Sequence, residues 1–146
     1  MQVTGVSHIP IGVRDMEKSL AFWRDFIGMQ VTGDTGTNFP ERRSVFLRWD
    51  PKKTQDSVFM SLSATRGADE RDGATSIGQL GVNHIAFWVD DLEAYARRAE
   101  EMGISVRMAP MTYGRPYGDH EHGENFRSAM FLVPDGVAVQ LEEWRD

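Results

Sequence analysis

The chain of 146 residues contains no cysteine. Disulfide cross-links and thiolate chemistry are therefore excluded, and a bound metal would have to be held by imidazole, carboxylate, amide or water. Such donors suit Fe(II), Mn, Ni, Co, Zn or Mg better than they suit a sulfur-ligated centre. No apolar run approaches the ~20 residues that a membrane span needs. The first residues lack a basic segment followed by an apolar one, so no signal peptide is expected, and the cysteine-free composition fits a cytoplasmic protein. Basic residues are in the minority, 16 against 22 acidic, for a net charge of −6. That balance favours solubility and argues against a nucleic-acid surface. Also missing are a nucleophile–base arrangement and a phosphate-cradling glycine motif; the glycines fall at turns and helix ends. The length is that of about one domain, long enough to bury a good core.

What the chain does contain is a stretch spelled twice. Residues 5–17 read GVSHIPIGVRDME and residues 81–93 read GVNHIAFWVDDLE, with seven of thirteen positions identical. Each copy opens one half of the chain, and each carries a histidine, His8 or His84, inside an apolar run.

The elements around the two copies repeat as well. Residues 3–13 read as a β-branched strand, and Pro10, which cannot donate to a ladder, predicts an edge strand or a bulge. Asp15 suits a helix N-cap, Met16, Leu20, Trp23 and Ile27 mark one helix face, and Gly28 ends the helix. Strands are predicted at 29–33, 43–49 and 57–63, so residues 1–65 form a βαβββ module. Residues 66–79, polar and glycine-containing, read as a linker. In the second module, 80–146, a strand at 80–89 leads to a helix with Asp90 and Glu93 as a capping box. Leu92, Tyr95, Ala99 and Met102 line that helix, which stops at Gly103. Strands follow at 104–109, 126–133 and 137–144, with a long loop at 110–125.

Side chains alternate across a strand, so the faces are legible. His8 shares a face with Pro10 and Gly12, and His84 with Ala86 and Trp88. In 57–63 the set Phe59, Ser61 and Ser63 opposes Val58, Met60 and Leu62. In the last strand Ala138, Gln140 and Glu142 oppose Val137, Val139 and Leu141. The aliphatic sets are expected to pack on the helices, leaving both histidines on the opposite faces.

Paired βαβββ modules that each open on a strand histidine resemble the vicinal oxygen chelate superfamily, which contains glyoxalase I, extradiol dioxygenases, methylmalonyl-CoA epimerase, fosfomycin-resistance enzymes and bleomycin-resistance proteins. The resemblance covers nearly the whole chain, most specifically in the two opening strands and in the terminal PDGVAVQLEEW. It implies an α+β fold in one domain, 1–146, with an open curved eight-stranded sheet forming a cup, and often a homodimer. It also implies a divalent metal (Fe2+, Mn2+, Ni2+ or Zn2+) held by residues of the first, fourth, fifth and eighth strands. His8 and His84 match two of those positions. The fourth-strand position falls near Ser61, where glyoxalase-like enzymes carry Glu or Gln. The eighth falls on Gln140, where Glu is usual, with Glu142 two residues further along the same face. A 2-His-1-carboxylate set would suit a non-haem Fe(II) site, and it requires Glu142 to take Gln140's role.

Other groups are candidates for substrate contact or proton transfer. The 110–125 loop carries Tyr113, Arg115, Tyr117, His120, Glu121, His122 and Glu124, and reads either as a lid over the cup or as a solvated polar segment. His122 stands at a spacing similar to that of a histidine in extradiol dioxygenases, although their Tyr, Asp and Glu are Met130, Val133 and Gln140 here. His122, Tyr113 and Glu142 are the candidate acid–base groups. Arg48 and Arg127 would meet an anionic substrate if they face inward, and are rim residues otherwise. Trp49, Trp88 and Phe59 are expected in the cup wall or core, a lining that favours a cyclic or aromatic ligand.

Three readings follow. The first is a small-molecule metalloenzyme of lyase, isomerase or dioxygenase type. The second is a metal-free protein that sequesters a cyclic or aromatic compound such as an antibiotic. The third is a metal-independent isomerase or cyclase using Glu142 with a loop histidine.

Overall fold

A computed structural model describes residues 7–36, 42–50, 52, 58–66, 84–112, 125–134 and 137–145. The chain divides into two compact units, Met1–Glu70 and Arg71–Asp146. In each, a strand, a helix and three further strands form one four-stranded sheet. The eight expected strands are all present, and they are shared between two mixed sheets of four.

In the first unit β1 (His8–Gly12) runs parallel to β4 (Phe59–Thr65) at the sheet edge. Next come β3 (Arg42–Arg48) and β2 (Gln30–Asp34), both joined antiparallel. The edge position is the one Pro10 requires, because its missing N–H costs nothing there. Ile11, Val45, Leu47, Met60 and Leu62, all on one face, are buried, and α1 packs on β4.

Helix α1 (Met16–Leu20) begins at Asp15, whose carboxylate accepts from the Glu17 and Lys18 N–H groups. The single 3.6-residue periodicity expected up to Gly28 breaks down. Residues Ala21–Phe26 form a π turn, with Ile27 N–H bonded to the Phe22 carbonyl at 2.9 Å. A wider turn places more residues on one side. Phe22, Trp23 and Phe26 all go inward, with ring centroids 5.2 Å apart for Phe22–Trp23 and for Phe22–Phe26, while Ile27 is only half-buried.

The second unit has the same order, β5–β8–β7–β6. Its strands are β5 (His84–Trp88), β6 (Val106–Thr112), β7 (Phe126–Leu132) and β8 (Ala138–Trp144). β6 runs to Thr112, into the stretch read from sequence as loop. Helix α2 (Leu92–Glu101) is capped by Asp91, not by Asp90; the Asp91 carboxylate accepts from Ala94 N–H at 2.8 Å. With the cap one residue later, the third helical position is Ala94 and no capping box can form. Glu93 instead reaches Arg127. At the other end Gly103 takes φ +66°, and Ile104 N–H bonds the Ala99 carbonyl at 2.8 Å, a Schellman closure that favours glycine. Leu92 and Ala99 are buried as expected, but Met102, the C-cap residue, is exposed.

Arg127 also departs from expectation. It is buried on the helix side of its sheet, paired with Glu93 and, at 3.4 Å, with Glu143. Glu143 in turn accepts from Leu92 N–H at 3.2 Å, satisfying one of the free donors at the start of α2. The Glu93 hydrogen bond is the main reason the Arg127 guanidinium holds its proton more tightly than usual. Rim exposure for Arg127 is therefore ruled out: it fastens α2 to β7 and β8.

Candidate functional site

The register of each sheet places the repeated histidines. His8 pairs with Phe59, Pro10 with Ser61 and Gly12 with Ser63. His84 pairs with Ala138, Ala86 with Gln140 and Trp88 with Glu142. Each histidine thus stands one pleat before the candidate ligand of its partner strand, Ser61 or Gln140, on the face opposite the helix-packed aliphatic set. Alternation anticipated both faces.

On the first sheet, His8 lies stacked on Phe59, with centroids 5.1 Å apart and planes 12° from parallel. The hydroxyl of Ser7 lies 2.9 Å from His8 Nδ1. Nδ1 is thereby engaged, leaving Nε2 as the ring's other coordinating or proton-carrying atom. Arg48, half-buried at the end of β3, sits on the same face with its guanidinium 5.0 Å from the Phe59 centroid. Phe46 meets Phe59 edge to face at 5.8 Å. Ser61 is buried opposite Phe46, and the Ser44 and Ser63 hydroxyls are 3.1 Å apart. Trp49, expected in wall or core, is exposed just beyond the end of β3.

On the second sheet the polar pair Gln140 and Glu142 is buried, 3% and 8% exposed. Gln140 Nε2 donates to Glu142 Oε1 at 2.8 Å. Across the strand, Ser128 is directly opposite Glu142, and Met130 opposite Gln140. Ser128 Oγ is fully buried with no hydrogen-bond partner among the described residues. Trp88 is 58% exposed and stacks on Trp144 at 6.1 Å, and both rings contact Phe126.

Sequence reasoning had not singled out Trp144, Phe126 or Ser128. Carrying the alternation of β8 two residues past Glu142 would have found Trp144. The other two needed the β7–β8 register. Tyr113, Arg115, Tyr117, His120, Glu121, His122 and Glu124 lie outside the described residues. Among the described residues, no three His, Asp or Glu side chains are grouped as a metal cluster. No helix among them is long and apolar enough to cross a membrane.

The donor chemistry nevertheless suits a divalent ion. Imidazoles at His8 and His84 and an amide oxygen at Gln140 are legitimate ligands. Though neutral itself, Gln140 is hydrogen-bonded directly to the carboxyl group of Glu142.

The chain is similar to a probable lactoylglutathione lyase of Synechocystis, 26% identical over 134 residues, covering 92% of this chain and 91% of that one. It is 24% identical over 120 residues to the lactoylglutathione lyase of Schizosaccharomyces pombe, spanning 40% of that longer protein. Among solved structures, a glyoxalase I mutant from Zea mays matches with TM-score 0.75 at 20% identity, over 97% of this chain and 46% of that one. The fosfomycin resistance protein FosX of Listeria monocytogenes, solved with Mn(II) and sulfate, matches with TM-score 0.65 at 18% identity, over 99% and 95% of the two chains. A family model for the glyoxalase/bleomycin resistance protein/dioxygenase superfamily matches residues 5–141, and the chain belongs to that superfamily.

Proposed function

We propose that the protein is a small-molecule metalloenzyme, with His8, His84 and Gln140 or Glu142 as its candidate metal ligands. The observation that carries this reading is the equivalent register of the two histidines. Each stands one pleat before the candidate ligand of its partner strand, on a face turned away from the helix. A lone strand histidine would pass as a packing residue; a pair in matching register calls for a shared task. The metal-containing FosX structure and the lactoylglutathione lyases support the same reading by likeness.

A bound divalent ion would act as a Lewis acid toward vicinal oxygens of the substrate. Phe59, Phe46, Trp88 and Trp144 provide flat apolar walls suited to a cyclic or aromatic compound. Arg48, fixed over Phe59, offers a cation on the His8 face for an anionic substituent. Tyr113, Arg115, Tyr117, His122 and Glu142 remain proposals from sequence for closing the site and moving a proton. Lyase, isomerase and ring-cleaving chemistry all use such a site.

Metal analysis of tag-free protein reconstituted with Fe(II), Mn(II), Ni(II) and Zn(II) tests the proposal. Stoichiometric metal is expected, with loss in His8→Ala and in His84→Ala; protein that takes up none of the four ions overturns it. Oxygen uptake with a catechol under Fe(II) separates ring cleavage from lyase or isomerase chemistry, which consumes none. The neutral side chains at Ser61 and Gln140 favour a second reading, a metal-free binder of cyclic compounds. That reading predicts ligand-induced quenching of Trp88 and Trp144 fluorescence, undiminished by chelators.

A further inference from the structure

A buried hydroxyl ordinarily bonds to the fold around it, because an unpaired one has given up its hydration for nothing. Ser128 departs from that rule: it is fully buried, and its Oγ has no hydrogen-bond partner among the described residues. An alanine methyl would fill the same place without that penalty. Register puts Ser128 on the histidine-bearing face of its sheet. It stands directly across from Glu142, and Glu142 from Trp88, which shares a face with His84. On its other side Ser128 is paired with Met111. One row across the four strands therefore runs Trp88, Glu142, Ser128, Met111. We propose that the Ser128 hydroxyl is a substrate contact, kept for a hydrogen-bonding substituent of a planar apolar compound lying along this row. This deepens the small-molecule reading and rests on it, without calling on the metal.

The row has the make-up of a small-molecule site. Its ends are apolar and open, Trp88 58% and Met111 43% exposed, whereas its two polar members, Glu142 and Ser128, are buried. Ligand sites combine apolar walls with a few placed polar groups in this way. Beside the row, Trp144 and Phe126 extend the flat wall that Trp88 begins. From Trp88 to Ser128 is two strand spacings, roughly 10 Å, a span suited to two fused rings carrying one substituent. A serine hydroxyl both donates and accepts, so that substituent is a hydroxyl or a carbonyl. Access is expected from the Met111 side. An unbranched thioether turns aside at little cost, while Glu142 is tied to Gln140 at 2.8 Å.

The experiment uses two probes that differ by one hydroxyl, 2-naphthol and naphthalene, with binding measured by equilibrium dialysis to wild type and Ser128→Ala. Wild type is expected to bind 2-naphthol roughly fivefold more tightly than naphthalene, the gain from one net hydrogen bond. Ser128→Ala should bind naphthalene as wild type does and lose the preference. A second measurement needs no ligand. Because the hydroxyl is unpaired in the free protein, Ser128→Ala should unfold at the same denaturant concentration as wild type or a higher one. A lower midpoint would mean that the hydroxyl is bonded within the fold, and it overturns the inference. Equal binding of the two probes by wild type overturns it as well, as does a preference for 2-naphthol that survives in Ser128→Ala. Wild type that binds neither probe also overturns it. None of these results touches the metalloenzyme reading, which stands or falls on metal uptake.

Discussion

The two modules share an opening sequence and a strand order, yet they hold their helices with different chemistry. The first relies on shape: Phe22, Trp23 and Phe26 are driven together by a π turn and fill the space under the helix. The second relies on charge: Arg127, Glu93 and Glu143 tie α2 to the sheet, and Glu143 also serves the helix N-terminus. Their histidine-bearing faces diverge in the same way. The first carries a stacked column of Arg48, Phe59 and His8 with serine hydroxyls beside it. The second carries a buried amide–carboxylate pair beside an indole stack. Topology is therefore indifferent to how its core is filled, provided that one face of each sheet is covered.

Removing the aromatic wedge should break the first module most severely. Trp23→Ala is expected to cost about 3–5 kcal/mol in denaturant unfolding, the range for deleting a large buried aromatic side chain. The corresponding cut in the second module is Arg127→Ala. It takes from Glu143 its buried partner, leaving the half-exposed Arg145 at 3.3 Å, at a cost of about 3 kcal/mol, while Arg127→Leu with Glu143→Leu should recover much of that loss. If the single Arg127 variant is near neutral, charge does not hold α2.

A smaller effect separates the helix caps. Asp15→Ala and Asp91→Ala should each lose about 1 kcal/mol, whereas Asp90→Ala should lose little. Equal losses at positions 90 and 91 would restore the capping box to Asp90.

The smallest effect concerns the surface. Arg43 bonds Asp34 and Glu17, and its guanidinium, helped by the Gly36 N–H, holds the Asp34 carboxyl below the usual aspartate range. A lowered folded pKa stabilises above the unfolded value, and the gain disappears as pH falls through the folded one. Asp34→Asn should therefore cost less than about 1 kcal/mol at neutral pH, and its deficit should vanish below the ordinary aspartate range. A deficit that persists in acid would mean packing, not charge.

Much of the candidate site was legible because strand side chains alternate with a period of two. From that rule alone His8, Phe59 and Ser61 fall on one face, and His84, Gln140 and Glu142 on another, as the register bears out. Element ends and partners were less legible. Asp90 and Asp91 are adjacent and chemically identical as caps, so only the turn geometry selects Asp91. Arg127 has a long charged side chain that composition assigns to the surface, and two carboxylates from other elements allow it to be buried.

By itself the sequence determined that there are two βαβββ modules, that each opens on a histidine, and which face that histidine takes. Those are local and periodic properties, written into the order of apolar and polar residues. Only the tertiary structure decided that a π turn gathers three aromatic rings, that Arg127 serves a helix, and that Gln140 and Glu142 are joined. The physical reason is that each of these depends on which buried donor meets which acceptor, or which ring meets which, once burial has removed water as a competing partner.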